Sequence, residues 1–250
     1  MFIQNGVLTV AGGFNRNDFN ETCYQLKNGS WQIYESLKTS GYCTPENMVK
    51  TDKAIYTFGA DYDGKKVRYL PNNSIDWIEE ENVKIPKYFL RGCAVEIKSK
   101  GEIWLIGGDG TRKRILSFDL QNHTFKELPM KLKVGRYCHK CIVTKIGNFE
   151  VILVTGGLKK GTYCYENSVE IINIETGKVK LSSPMNKLRV GHGIGTLNIN
   201  DQPRICVFGG WNGFSEENTI EIFDKETLKW ELLEDFKMQE SKSYFGYLNI

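Results

Sequence analysis

Residues 205–210 read Ile205-Cys206-Val207-Phe208-Gly209-Gly210, a short apolar run that ends in two glycines. Doublets of small residues recur along the 250-residue chain, at Gly12-Gly13, Gly59-Ala60, Gly107-Gly108, Gly156-Gly157 and Gly209-Gly210. Successive doublets begin 47, 48, 49 and 53 residues apart, and a nearly fixed period of this size is typical of a repeat fold. The apolar run before each doublet predicts a buried strand, and the glycines predict a position where another backbone comes close.

The residues around each doublet also repeat. A polar loop is followed by an alternating segment, such as Ile220-Glu221-Ile222-Phe223-Asp224, which predicts a half-buried strand. A turn, an outer strand and a small-residue strand come next. The outer strand carries an apolar residue in every unit, namely Trp31, Trp77, Phe125, Val179 and Trp230. Four antiparallel strands in about 50 residues are typical of one propeller blade.

The sequence therefore predicts an all-β fold, a five-bladed β-propeller of four-stranded antiparallel blades in a single domain, 1–250. The chain starts just before the second strand of a unit and stops just after a first strand, Tyr244 to Ile250. We expect this C-terminal strand to complete the N-terminal blade, which would leave no unpaired edge. The alternative is a fragment of a larger ring. The predicted blades are 1–36 with 242–250, 41–80, 91–128, 136–182 and 190–234.

Composition limits the function classes. Lys and Arg number 33 against 30 Asp and Glu, a net charge of +3 that is too small to indicate nucleic-acid binding. The sequence has no apolar stretch long enough for a membrane helix and no basic, apolar leader, so we expect neither membrane association nor secretion. Seven cysteines at irregular spacings are typical of reduced thiols, which predicts a cytoplasmic location.

Candidate chemistry is sparse. The segment Cys138-His139-Lys140-Cys141 has metal-binding residue types, but no second Cys or His pair nearby would complete four zinc ligands. Core packing is the favoured interpretation of this segment. We expect no metal, no cofactor and no catalytic residue, so the chain is not predicted to be an enzyme.

The fifth unit carries a recognisable combination of motifs. Arg189-Val190-Gly191-His192-Gly193 precedes the doublet strand, and Ile220 to Asp224 and Trp230 follow it. The third unit has a similar pattern, with Gly107-Gly108, Phe118-Asp119 and Arg136. This pattern resembles the kelch repeat family, and in particular its substrate-adaptor domains. The resemblance implies a β-propeller, although kelch propellers usually have six or seven blades and five would be a departure.

The resemblance also implies where a partner binds. We call the residues just before each innermost strand the lead-in; the sequence aligns Gly41, Arg91, Arg136, Arg189 and Lys242 there. Kelch adaptors contact partners through such arginines and through the residue after each doublet. The residues that carry over are Arg91, Arg136, Arg189, Lys242, Phe14 and Trp211. The same arginines have an alternative role, in which they brace neighbouring blades through backbone carbonyls.

Arginine and aromatic side chains together suit a protein or peptide partner with acidic residues. The resemblance therefore implies a protein-interaction module, foremost substrate recognition for a ubiquitin ligase. Two alternatives remain open on the same resemblance. One is an actin-binding, cytoskeletal scaffold, and the other is a sugar-modifying kelch enzyme such as a sialic acid epimerase.

Overall fold

The computed structural model describes residues 2–4, 7–11, 22–36, 47–59, 61, 63–74, 76–159, 164–199 and 201–244. Within these ranges the protein consists of antiparallel β-strands joined by turns, with one short 3-10 turn at Lys98–Lys100 and no α-helix. None of the described segments is a helix of the length and apolar character that a membrane crossing requires. The prediction of an all-β fold made of antiparallel, mostly four-stranded sheets is confirmed.

Five sheets have four strands each, and we number them in chain order. Sheet 1 contains β1 (Phe2–Gln4), β2 (Val7–Ala11), β3 (Thr22–Lys27) and β4 (Ser30–Ser36). Sheet 2 contains β5 (Met48–Lys50), β6 (Ala54–Phe58), β7 (Lys66–Pro71) and β8 (Ile78–Lys84). Sheet 3 contains β9 (Cys93–Ile97), β10 (Glu102–Ile106), β11 (Ile115–Asp119) and β12 (Phe125–Glu127).

Short additional strands lie before sheet 4 and between its second and third strands. Sheet 4 contains β14 (Lys140–Ile146), β15 (Phe149–Thr155), β18 (Val169–Asn173) and β19 (Val179–Ser182). Sheet 5 contains β20 (Gly193–Ile199), β21 (Gln202–Phe208), β22 (Thr219–Phe223) and β23 (Trp230–Lys237). In all five sheets the strands follow chain order from one edge to the other, so that neighbours in sequence are neighbours in space.

The described part of the chain forms six sheets rather than the five that the sequence predicts. The sixth is a small three-stranded sheet of β13 (Arg136–Tyr137), β16 (Leu158–Lys159) and β17 (Cys164–Tyr165). It forms because the long loop after Gly156-Gly157 folds back as a hairpin and pairs with the lead-in of sheet 4. In the unit of sheet 5 the corresponding segments do not form strands. They are joined only by isolated bridges from Trp211 to Val190 and to Glu216.

The N-terminus also differs from the sequence prediction. Strand β1 pairs with β2 through Phe2–Thr9, Ile3–Leu8 and Gln4–Val7, and sheet 1 already has four strands. The expectation that no first strand precedes β2 is therefore wrong, because residues 2–4 pair with β2 as an edge strand. The predicted C-terminal strand falls largely on 245–250, outside the described residues. No sheet of the described residues closes on itself.

Apolar side chains pack between consecutive sheets, and strand alternation explains how. In β10, Ile103 and Leu105 join a buried cluster shared with sheet 2, whereas Trp104 and Ile106 join a cluster shared with sheet 4. Successive residues point to opposite faces, so a strand with apolar residues at every position contributes to two interfaces. A third cluster lies between sheets 4 and 5 and includes Trp230.

Candidate functional site

Backbone hydrogen bonds join the lead-ins of sheets 3, 4 and 5 and continue to Tyr244, the last described residue. The Cys138 N–H donates to the carbonyl of Arg91 at 2.7 Å, the Gly191 N–H to Cys138 at 3.1 Å, and the Tyr244 N–H to Gly191 at 2.8 Å. All four residues have positive φ, at 53°, 53°, 59° and 53°. They are therefore equivalent positions, and their shared geometry brings the lead-ins of successive sheets side by side.

This geometry corrects the sequence alignment of the arginines. Arg91 is equivalent to Cys138 and not to Arg136, so it was aligned two residues out of register. A Cβ atom on the first glycine of a doublet would collide with the carbonyl of a lead-in residue. The residue that supplies this carbonyl holds the same position in each unit. In Gly59, Gly107 and Gly156 that carbonyl belongs to Phe89, Arg136 and Arg189 respectively. Phe89 therefore occupies the position that the two arginines hold in the next sheets.

The Arg136 guanidinium is buried inside sheet 4, with its side chain fully inaccessible. It donates to the carbonyls of Gly156 and Ser168 at 2.8 and 3.0 Å, and to the Glu170 carboxylate at 2.9 Å. The same carboxylate accepts the backbone N–H groups of Lys133 and Val134. One buried ion pair therefore ties the lead-in loop to the ends of two strands.

Arg189 repeats this arrangement in sheet 5. It donates to Glu221 at 3.0 Å and to the carbonyls of Gly209 and Thr219 at 2.7 and 3.0 Å. Burial lowers the pKa of the guanidinium, and the Glu221 charge opposes that shift. Both arginines hold the sheets together through carbonyls and carboxylates, and neither side chain lies on a surface where a partner could contact it.

Arg91, by contrast, reaches the surface, with 41% of its side chain exposed. Its Nε lies 3.5 Å from a carboxylate oxygen of Asp109, the residue after the third doublet. Its guanidinium carbon lies 5.6 Å from the ring centroid of Tyr137, within the range of a cation–π contact. The guanidinium is thus held in place between a carboxylate and an aromatic ring while part of it faces solvent.

The remaining predicted contact residues are Lys242, Trp211 and Phe14. Lys242 is exposed and pairs with Glu240 at 2.8 Å, and Trp211 is half-buried because its backbone bridges Val190 and Glu216. Phe14 lies outside the described residues. Tyr244, which shares the positive-φ position of Arg91, is 54% exposed and was not predicted as a contact residue.

Sequence reasoning also missed Phe214, which is 91% exposed at the tip of the loop after the fifth doublet. The Asn212-Gly213 pair that precedes it is a turn signal and indicated an exposed residue there. At this turn Phe214 protrudes into solvent, whereas Trp211 is half-buried.

Two histidines lie in the interior next to the arginines. His139 and His192 are almost fully buried, and the buried Lys140 follows the first of them. Burial, helped by the charges of neighbouring Arg and Lys residues, lowers the pKa of both imidazoles well below the usual value. A hydrogen bond of 2.8 Å joins the Nε2 atom of His192 and the Thr155 hydroxyl. These side chains are not open to a substrate and support the packing between sheets.

The cysteines of the segment 138–141 are buried free thiols. Burial, together with the nearby thiol of Cys93, raises the pKa of Cys141 well above the usual value. Within the described ranges, no group of three or more His, Cys, Asp and Glu side chains is arranged to hold a metal ion. Comparison with known proteins found no matching family model and no matching curated protein.

Proposed function

We propose that the chain is a protein-interaction module, a kelch-type β-propeller whose blades are the four-stranded sheets, and that it binds an acidic segment of a protein partner. The observation that carries the proposal is the placement of Arg91. Its guanidinium is fixed by Asp109 and Tyr137, is partly open to solvent, and shares a face with the exposed Tyr244. A preorganised, partly desolvated guanidinium suits a carboxylate of the partner.

The propeller arrangement is supported by the way consecutive sheets meet. Buried clusters join sheets 2 to 3, 3 to 4 and 4 to 5, and the outer-strand residues Phe125, Val179 and Trp230 pack into them. In sheet 1 the equivalent Trp31 is 50% exposed, and Ile33 on the same strand face is 75% exposed. Closure of the ring would place sheet 5 against this face and bury it as in the other units.

Within this class we propose substrate recognition for a ubiquitin ligase in the cytoplasm. The support is the resemblance of the fifth unit to kelch adaptor repeats.

Selection from a random peptide display library tests the proposal. We expect the enriched peptides to carry Asp or Glu, and the affinity of a purified enriched peptide to fall at least tenfold with Arg91→Glu. Calorimetric titration at low and high salt measures the loss, which should shrink as salt screens the charges. Lys180→Glu is the matched control, because Lys180 is an exposed cation on the edge strand β19.

Two results would overturn the proposal. One is selection of peptides without acidic enrichment. The other is equal binding by wild-type protein and Arg91→Glu when circular dichroism shows that both are folded. A loss that Lys180→Glu reproduces would mean that net charge alone, rather than this site, attracts the peptide.

A further inference from the structure

Phe214 is the most exposed large apolar side chain of the described residues, at 91%. An aromatic ring left in water gives up stabilisation that a buried position would provide. Single exposed apolar residues are common on protein surfaces, and exposure alone therefore assigns nothing. The loop that carries this one supplies the further observations.

The loop around Phe214 is rigidly built. The Asn212 side-chain oxygen accepts the N–H groups of Phe214 and Ser215 at 2.8 and 2.9 Å, and the Asn212 N–H donates to the Ser215 carbonyl. The Asn212 amide nitrogen donates to Glu217 at 2.6 Å. These bonds fix the backbone on both sides of Phe214. A side chain that protrudes from a fixed turn loses little entropy when it is buried by a partner.

Neighbouring segments hold the loop in place. Trp211 bridges the lead-in residue Val190, and the Gly213 backbone lies against the ring of Tyr165 from the sixth sheet. Glu216 accepts hydrogen bonds from the backbone and side chain of Ser243 at 3.1 and 2.7 Å. The loop is therefore tied to the segment that carries the exposed Tyr244, which places Phe214 on the same face as the lead-ins.

The charges around Phe214 are mainly negative. Glu216 and Glu240 are exposed, and Glu217 retains its charge because hydrogen bonds from Asn212 and Thr219 lower its pKa against the effect of burial. Two exposed lysines offset part of this charge, because Lys242 pairs with Glu240 and the charge of Lys187 acts on Glu217. The charge of these carboxylates is opposite in sign to that of Arg91. The surface around Phe214 therefore favours cationic groups of a partner, whereas the surface around Arg91 favours anionic groups.

We propose that Phe214 is an anchor that inserts into an apolar pocket of a folded protein partner, with Lys or Arg residues at the rim of that pocket. The cationic rim would complement Glu216 and Glu240, and the fixed loop would present the ring in its bound position. An anionic lipid surface fits less well because the same carboxylates repel it. Aromatic anchors buried in well-packed pockets contribute a large share of the binding energy in protein interfaces.

The inference rests on the proposed function, because it concerns the same face. A photo-crosslinking phenylalanine analogue at position 214, expressed in the native cells, identifies the partner as a covalent adduct. Phe149, exposed at the start of β15, provides the control position for the analogue. The identified protein is then purified and titrated against wild-type protein, Phe214→Ala, Asn212→Ala, Phe149→Ala and Arg91→Glu.

We expect one protein adduct specific to position 214, and at least tenfold weaker binding for Phe214→Ala. Asn212→Ala should weaken binding although the ring is retained, because the loop loses its fixed shape. Phe149→Ala should bind as the wild type does. Adducts no stronger than at position 149, an adduct with a second copy of the chain, or unchanged affinity of Phe214→Ala would overturn the inference.

Two further outcomes separate the inference from its premise. Loss of binding with Arg91→Glu but not with Phe214→Ala would contradict the anchor and leave the proposed function standing. Flotation with vesicles of phosphatidylcholine and phosphatidylserine that depends on Phe214 would instead assign the ring to a membrane and overturn the inference.

Discussion

Arg189 and Arg91 look alike in the sequence but differ in the structure. Both precede an innermost strand, and Arg189 is buried with four hydrogen bonds whereas Arg91 leaves 41% of its side chain exposed. The difference comes from a shift of two residues, because Phe89 holds the buried position in the unit of Arg91. The register relative to the doublet therefore decides which arginine braces the fold and which one faces solvent.

Three positions change together between the two units. Arg189, Glu221 and Asn186 of sheet 5 correspond in order to Phe89, Leu116 and Pro86 of sheet 3. The strand registers and the backbone bonds of the loops establish this correspondence. Phe89 and Leu116 lie in one apolar cluster. Asn186 donates its backbone N–H to Glu221, and proline has no N–H that would need such an acceptor. An apolar set thus replaces a buried ion pair, an exchange that is often neutral in stability.

Arg189→Ala tests the largest part of this comparison. The change leaves the Glu221 carboxylate buried without its cation, and we expect a loss of about 3–5 kcal/mol in the free energy of unfolding. The triple change Arg189→Phe, Glu221→Leu, Asn186→Pro copies sheet 3 into sheet 5 and should cost less than the single change. Urea unfolding at pH 7 measures both.

The ordering of the two variants is what the comparison depends on. If the triple variant is less stable than Arg189→Ala, then sheets 3 and 5 are not interchangeable at these positions. If Arg189→Ala costs less than about 1 kcal/mol, the ion pair behaves as a surface pair would, and its bracing role is contradicted.

A smaller effect comes from the histidines that sheet 3 lacks. Gly92 stands where the next two sheets have His139 and His192, each with a pKa lowered mainly by burial. Above pH 6.5 the two imidazoles are neutral in both the folded and the unfolded state. Below it the unfolded state binds protons that the folded state does not, so stability falls as the pH falls. The loss should reach about 1.4 kcal/mol per histidine at pH 5.5.

Urea unfolding between pH 7.5 and 5.5 measures this decline. In His192→Gln one of the two titrating side chains is gone, and about half of the decline should disappear whatever the starting stability of the variant. An unchanged decline would assign the acid sensitivity to other groups and remove sheets 4 and 5 as its source.

The sequence predicted the regular part of the fold because each strand alternates and each doublet requires close backbone approach. It did not predict β1, since three residues before a turn carry too short a pattern. The register of Arg91 was also missed. Arg91-Gly92 is similar in sequence to the segments of Arg136 and Arg189. The backbone bond from Cys138 to Arg91 and the contact of Gly59 with the Phe89 carbonyl show that the register differs. Pro86 was a usable signal, because it stands three residues before Phe89, where Lys133 and Asn186 donate an N–H in the next units.

The smallest expected effect is on the exposed side of the comparison. Arg91→Ala removes a half-exposed contact with Asp109 and a stack on Tyr137, and exposed ion pairs contribute about 0–1 kcal/mol. We therefore expect the free energy of unfolding to change by less than about 1 kcal/mol, while affinity for an acidic peptide falls. A loss as large as that of Arg189→Ala would show that Arg91 is also a bracing residue. The division between the two arginines, and with it the assignment of the binding face, would then be wrong.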